Sequence, residues 1–187
     1  MIALRFTSLF FLAATLASAS PASAPTGLAI VDKRASTADV ETVFTTLKSS
    51  TDSILPQIDA LVSSGTASDA TVAPLIGELA AALNTATASL SSLPISSKRQ
   101  TENEVATVVA GIITEISTTL NGLSGSPTAI PAFGTLIIAI DVALDELLVG
   151  LDVVLTGVVT LVAGLLVSVA VLLGQLGLGL VIGSLGL

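Results

Sequence analysis

Apolar residues in the first half of the chain recur every three or four positions, which predicts amphipathic helices. Over residues 39–62 they follow one helical face rather than the alternation of a strand. Pro56 lies inside this pattern and predicts a kink or a break, and Gly65 is placed to end the helix. A second amphipathic run covers residues 72–93. Together the two runs predict a helical hairpin.

The second half of the chain is more apolar. A third apolar stripe covers residues 105–120, and the last charged residue of the chain is Asp152. Residues 153–173 hold fourteen Val or Leu, and residues 174–180 alternate Gly with Leu, which is a poor helix former that should fray or fold back. We therefore expect an all-α fold of about four helices in a bundle. In it, an amphipathic N-terminal hairpin joins a very apolar, Gly/Leu/Val-rich C-terminal helical half.

The N-terminal segment predicts secretion and processing. Residues 1–19 have the basic, apolar and small-residue regions of a signal peptide, with cleavage after Ala19. Residues 20–34 form a propeptide that ends at the dibasic pair Lys33 and Arg34. A second dibasic pair, Lys98 and Arg99, lies in a linker predicted over residues 98–103, and the sequence leaves open whether it is cleaved. This linker separates a Ser/Thr-rich half (35–97) from a hydrophobic half (104–187).

The amino-acid composition argues against several classes of function. Hydrophobic residues make up 52% of the chain and charged residues 11%, and His, Cys, Trp and Tyr are all absent. No triad, metal-ligand set or phosphate-binding loop is present, so we expect no enzyme, no cofactor and no metal site. The formal net charge of −8 argues against nucleic acid as a partner. Residues 35–97 contain 21 Ser or Thr among 63, which predicts a hydroxylated outer face.

Two sets of residues in the second half predict a helix-packing face and a polar stripe. Gly150, Gly157 and Gly164 recur every seven positions, which places them near one face of a continuous helix and predicts close helix packing. Asp141, Asp145 and Asp152 share another face and predict a polar stripe in contact with water.

Residues 153–173 also permit a membrane anchor. Fourteen Val or Leu give about −4 to −8 kcal/mol on an insertion scale before the penalties of Gly, Ser and Thr. No Lys or Arg follows Arg99, however, so the usual flanking anchors of a membrane helix are missing. The alternative is an apolar helix that other helices or self-association cover.

The whole layout resembles a known family. The segments that carry the resemblance are ADVETVF (38–44), KRQ (98–100) and LVAGLL (161–166), followed by the Gly-Leu terminus. They resemble the small secreted, cysteine-free structural proteins of aerial hyphae in mushroom-forming fungi, which accompany hydrophobins. This resemblance implies a protein of the cell wall or extracellular matrix that helps hyphae leave water and attach to hydrophobic surfaces. The first half is also similar to fungal hydrophobic-surface-binding proteins and cell-wall mannoproteins, from which the long apolar tail departs.

Three hypotheses follow. The first is a secreted structural protein, active at an air–water or other hydrophobic boundary and in contact with cell-wall material, that self-associates to hide its apolar half. The second is a secreted helical carrier of apolar ligands. The third is a membrane-anchored or pore-forming protein in contact with lipid.

Overall fold

The computed structural model describes residues 37–93, 102–125 and 130–187. Across these ranges the chain is helical and contains no strand, which confirms the all-α prediction. The described residues form seven helices rather than about four, because the apolar C-terminal segment is divided. These are α1 (Thr37–Ser63), α2 (Asp69–Ser91), α3 (Glu102–Ser124), α4 (Phe133–Val154), α5 (Val158–Leu166), α6 (Ala170–Leu176) and α7 (Gly179–Leu185).

The N-terminal hairpin, residues 37–93, consists of α1 and α2. Helix α1 continues through Pro56, so the predicted break does not occur. Pro56 is exposed, whereas Leu55 and Ile58 beside it are buried, and we attribute the continuity to this packing on either side of the proline. Gly65 ends the turn after α1 with φ of +67°, as its position predicts. Helix α2 begins where the Ser68 amide donates a hydrogen bond to Thr71 Oγ1 at 2.9 Å.

The helices surround a common core. Helix α1 packs against both α2 and α3, and α2 packs against α4. Helix α3 contacts α5 and α6, while α7 contacts α4, α5 and α6. The buried hydrophobic side chains of all seven helices belong to a single cluster. The long apolar stripes predicted from sequence therefore supply one shared core.

The C-terminal region, residues 130–187, turns three times. Helix α4 ends at Val154, and Gly157 adopts φ of +91° before α5 begins. The axes of α5 and α6 then differ by 88°. After α6 the amide of Leu178 donates to the Leu173 carbonyl, with Gly177 at φ of +78°, which is a Schellman ending that returns the chain toward α4. The Gly-Leu terminus thus folds back as α7.

Candidate interfacial surface

Exposed large hydrophobic side chains are confined to one part of the described structure. All of them belong to residues 138–187, and residues 37–93 and 102–125 contribute none. We call this set the exposed apolar residues. They are Ile138, Val142, Val149, Val153, Leu161, Leu165, Val167, Val171, Leu180 and Leu187.

Four of the exposed apolar residues form a stripe along α4. Ile138, Val142, Val149 and Val153 are separated by four, seven and four positions. At about 100° per residue they fall within about 60° of one another on the helix. The opposite face of α4 carries core residues such as Leu144 and Leu151, both fully buried. Helix α4 therefore carries an apolar stripe on its outer side in addition to its apolar inner face.

The short C-terminal helices extend the apolar exterior. Leu161 and Leu165 lie one turn apart on α5, and Val171 on α6 has 72% of its surface exposed. Leu180 on α7 is 48% exposed. The composition of this half indicated apolar character as a whole but not which side chains face outward. The spacing of Ile138 and its partners along α4 was the signal that could have found them.

The N-terminal hairpin has a hydroxylated exterior instead. Several exposed hydroxyls donate to a carbonyl one turn earlier in their own helix, as Thr46 Oγ1 does to the Thr42 carbonyl at 2.9 Å. Ser89 on α2 does the same to the Thr85 carbonyl at 2.8 Å. Because the donor is used internally, each oxygen lone pair stays available to water. The protein therefore combines a wettable region with an apolar one.

The predicted polar stripe of α4 is not solvated along its length. Asp141 is buried, with 6% of its surface exposed. Its Oδ2 accepts a hydrogen bond from the Leu180 amide and its Oδ1 from the Val181 amide, each at 3.0 Å. Ser184 Oγ donates to Asp145 Oδ1. These carboxylates therefore hold α7 on α4, where the sequence predicted contact with water.

Asp152, the third residue of that stripe, is exposed and closes the turn after α4. Its Oδ1 accepts a hydrogen bond from the Gly157 amide at 3.0 Å. A surface hollow of about 190 Å³ lies nearby between α4, α5 and α7. Its walls are Leu148, Val149, Asp152, Val153, Val159 and Ser184. The hollow adjoins the α4 stripe and is mainly apolar.

The three predicted packing glycines occupy different settings. Gly150, within α4, faces α2: a Cβ built on it would lie 3.8 Å from Thr87 Cγ2. Gly157 lies between helices and takes a positive φ, and Gly164 on α5 has no neighbour within 4 Å of a built Cβ. The expectation of a single glycine face assumed one continuous helix. Since the chain leaves the helix after Val154, that face does not form, and only Gly150 lies at a helix contact.

Lys48 is the single cationic side chain in the described ranges, and it joins α1 to α3. Its Nζ lies 3.0 Å from Asp52 Oδ1 and 3.2 Å from Glu115 Oε1. Hydrogen bonds to Asp52 and Glu115 raise the pKa of Lys48 above its ordinary value of 10.5. A groove of about 450 Å³ between the same helices includes Asp59 and Thr119. The C-terminal region, by contrast, has acidic side chains and no basic one.

Several predicted sites lie outside the described residues. These are the processing positions Ala19, Lys33, Arg34, Lys98 and Arg99. In the part of the chain that the structure describes, no group of three or more acidic, His or Cys side chains is placed to hold a metal ion. Among the carboxylates there, Asp141 and Asp152 accept backbone hydrogen bonds, and Asp52 forms an ion pair.

Helix α3 is the one described helix that is long and apolar enough to cross a membrane by itself. Within an 18-residue apolar stretch of α3, 56% of the residues are buried inside the bundle, and a core helix has the same length and apolar character. Helices α5 and α6 satisfy it only as a pair broken by the 88° bend. Residues 153–173 are thus not one continuous helix.

Fold and surface together define an all-α bundle whose N-terminal hairpin is hydroxylated outside and whose C-terminal region is apolar outside. No protein-family model matches the chain. Over 60 residues it is 57% identical to "Fruiting body differentiation protein 16" of Flammulina velutipes, a mushroom-forming fungus. The matched segment makes up 32% of this chain and 47% of that protein, or about half of its length. The chain therefore has a homologue among fungal proteins named for fruiting body differentiation.

Proposed function

We propose that this protein is a secreted, interface-active structural protein of the fungal cell wall or extracellular matrix. It promotes the formation of aerial hyphae and their attachment to hydrophobic surfaces. The observation that carries the proposal is the confinement of the exposed apolar residues to residues 138–187. The relative's name, which refers to fruiting body differentiation, supports a role in the same developmental setting.

Adsorption follows from this distribution without any catalytic group. Fully burying a Val, Leu or Ile side chain contributes about 1.5–3 kcal/mol, so the ten half-exposed ones contribute at most roughly 10 kcal/mol when all of them leave water. The hydroxyls of the N-terminal hairpin remain hydrated and face water or cell-wall polysaccharide. In bulk water the same apolar surface favours self-association, because exposed patches of this kind are covered by partner copies.

The acidic side chains of α4 favour an uncharged surface over an anionic one. Asp145, Glu146 and Asp152 lie on α4 among the exposed apolar residues, and no cation lies nearby in the described sequence. An anionic lipid surface would be repelled by these carboxylates. An uncharged boundary, such as air, wax or alkane, carries no such penalty. The hollow of about 190 Å³ is smaller than a pocket for a drug-sized ligand, about 300–1,000 Å³. The groove of about 450 Å³ between α1 and α3 is large enough, but three carboxylates line it, which does not suit an apolar ligand. Both observations favour adsorption over carriage.

The test is the surface tension of water as a function of protein concentration. We expect a steep fall for the wild-type protein. A variant with Ile138→Gln, Val153→Gln and Val171→Gln loses about 1 kcal/mol of transfer energy at each site, so it should need roughly 100-fold more protein for the same fall. These side chains are exposed, so the fold should persist, which circular dichroism checks.

The matched control introduces the same residue on the hydroxylated side, as Ala60→Gln, Ala81→Gln and Ala88→Gln. These alanines are exposed on α1 and α2. The control should behave as wild type. Equal surface activity of both triple variants would contradict the proposal, as would a wild-type protein that leaves the surface tension unchanged. Recovery of the protein from culture medium tests its secretion separately.

A further inference from the structure

Helix α7 is attached to α4 by a small number of identifiable contacts. Asp141 accepts hydrogen bonds from the amides of Leu180 and Val181, at 3.0 Å each, and Ser184 donates to Asp145. The inner face of α7 buries Val181 completely and Leu185 to 7% exposure. Leu178, just before α7, is also fully buried, and Ile182 packs partly buried against the core. The attachment therefore combines three hydrogen bonds with the apolar contacts of four side chains.

This helix has little stability of its own. It spans seven residues, two of which are Gly179 and Gly183. Isolated helices shorter than about 12 residues are marginal in water, and an interior glycine such as Gly183 costs about 1 kcal/mol relative to alanine. The connection to α6 passes through Gly177 in a left-handed conformation. The helical state of α7 thus depends on its contacts with α4, α5 and α6.

We propose that residues 177–187 form a latch, which stays closed in water and detaches from α4 when the protein reaches an apolar boundary. The inference rests on the proposed function and specifies its conformational step. In water the closed latch buries its own Val181 and Leu185 against α4. At an apolar boundary these two side chains and the side of α4 that they covered contact the apolar phase instead of each other. Asp141 and Asp145 then regain hydration at the edge of that contact.

A disulfide that fixes the latch gives the first test. The chain contains no cysteine, so Asp145→Cys with Ser184→Cys introduces the only possible pair, at two side chains that touch. We expect the oxidised protein to adsorb at least about tenfold more slowly, measured as the lag before surface pressure rises. Reduction should restore the rate of the same sample. The wild-type protein treated with the same reductant is the control, since it has no thiol.

Weakening the latch gives the opposite test. In the Asp141→Asn variant an NH₂ group replaces one of the two carboxylate oxygens, so one of the two amide hydrogen bonds is lost. The other weakens because its acceptor is no longer charged. We expect amides 179–187 to exchange hydrogen at least about tenfold faster in solution, and the lag in surface pressure to shorten. Glu146→Gln removes the same charge at an exposed position of α4 and should change neither measurement.

The outcomes separate the latch from the proposed function. If wild-type protein lowers the surface tension while oxidised and reduced cysteine variants adsorb equally fast, the latch is overturned and the function stands. If wild-type protein does not lower the surface tension, the proposed function falls, whatever the exchange data show. Unchanged exchange in a folded Asp141→Asn variant also overturns the latch. Should that variant not fold, the disulfide comparison decides alone.

Discussion

The N-terminal hairpin and the C-terminal region bury their inner faces equally well and differ in what they expose. Val40 and Ile58 in the hairpin are fully buried, as are Leu144 and Leu166 in the C-terminal region. Outside, the hairpin presents hydroxyls, while the C-terminal region presents valine, leucine and isoleucine. A helix has only one inward face, so the apolar residues in excess of that face lie at the surface. That excess, rather than the core, distinguishes the two regions.

Of the two regions, only the hairpin pairs a carboxylate with a cation, whereas both use carboxylates to accept backbone hydrogen bonds, as Asp69 of α2 does from the Ala132 amide at 3.2 Å. In the hairpin, Asp52 pairs with the ammonium group of Lys48 at the surface. In the C-terminal region, which has no cation, Asp141 and Asp152 accept hydrogen bonds from backbone amides. Backbone donors are fixed in place by the fold and need no partner side chain. Acidic residues in an apolar region can therefore join two helices, as Asp141 does, or close a turn, as Asp152 does.

The largest expected effect tests whether residues 153–173 lie partly inside the bundle. Leu166 is fully buried, whereas its neighbour Leu165 is 51% exposed. Leu166→Ala should lower the free energy of unfolding by about 2–5 kcal/mol, because it leaves a cavity in the core. Leu165→Ala should stay within about 0.5 kcal/mol of wild type. Urea denaturation measures both, and similar losses for the two variants would contradict the division of this segment into core and exterior.

A smaller effect separates two of the glycines that the sequence grouped together. Gly157→Ala should destabilise the fold by about 1–2 kcal/mol, because alanine is strained at a φ of +91°. Gly164→Ala should stabilise it by about 0.5–1 kcal/mol, because the site is helical and no atom lies within 4 Å of the new Cβ. Thermal unfolding gives both signs. If both variants are destabilised, Gly164 is at a close helix contact after all.

The pattern of apolar residues was sufficient for the helical class and for most of the core. Steps of three and four predicted α1, α2 and α3, and Gly65 ended α1 as expected. The division of the C-terminal segment was not predicted, because a nearly uniform run of Val and Leu has no periodicity that locates a turn. Gly157 and Gly177 mark the turns, but a helix also tolerates glycine. Their φ values depend on tertiary packing.

The candidate surface was predicted only in outline. An apolar C-terminal half was evident from composition, yet the partners of Asp141 lie 39 and 40 positions away in the chain. No local rule pairs an aspartate on one helix with the first amides of another, so the stripe was interpreted as solvated. Asp141 and Asp145 do lie on one side of α4, as their spacing predicted. The prediction that this side is solvated was wrong because α7 packs on it.

The smallest expected effect sharpens the contrast between the carboxylates of the two regions. Lys48 has 41% of its side chain exposed, so Lys48→Gln should cost no more than about 0.5 kcal/mol, and the difference should vanish near 1 M salt, where charges are screened over about 3 Å. The folded state raises the pKa of Lys48, so the contribution of Lys48 to stability is complete below pH 10.5 and is lost as the pH rises through the higher folded value.

Asp141→Asn should destabilise the protein about equally in low and high salt, because the hydrogen bonds of Asp141 to backbone amides are buried. Urea denaturation at both salt concentrations measures the two variants. A salt-dependent effect of Asp141→Asn would contradict the difference between a surface ion pair in the N-terminal hairpin and buried backbone contacts in the C-terminal region.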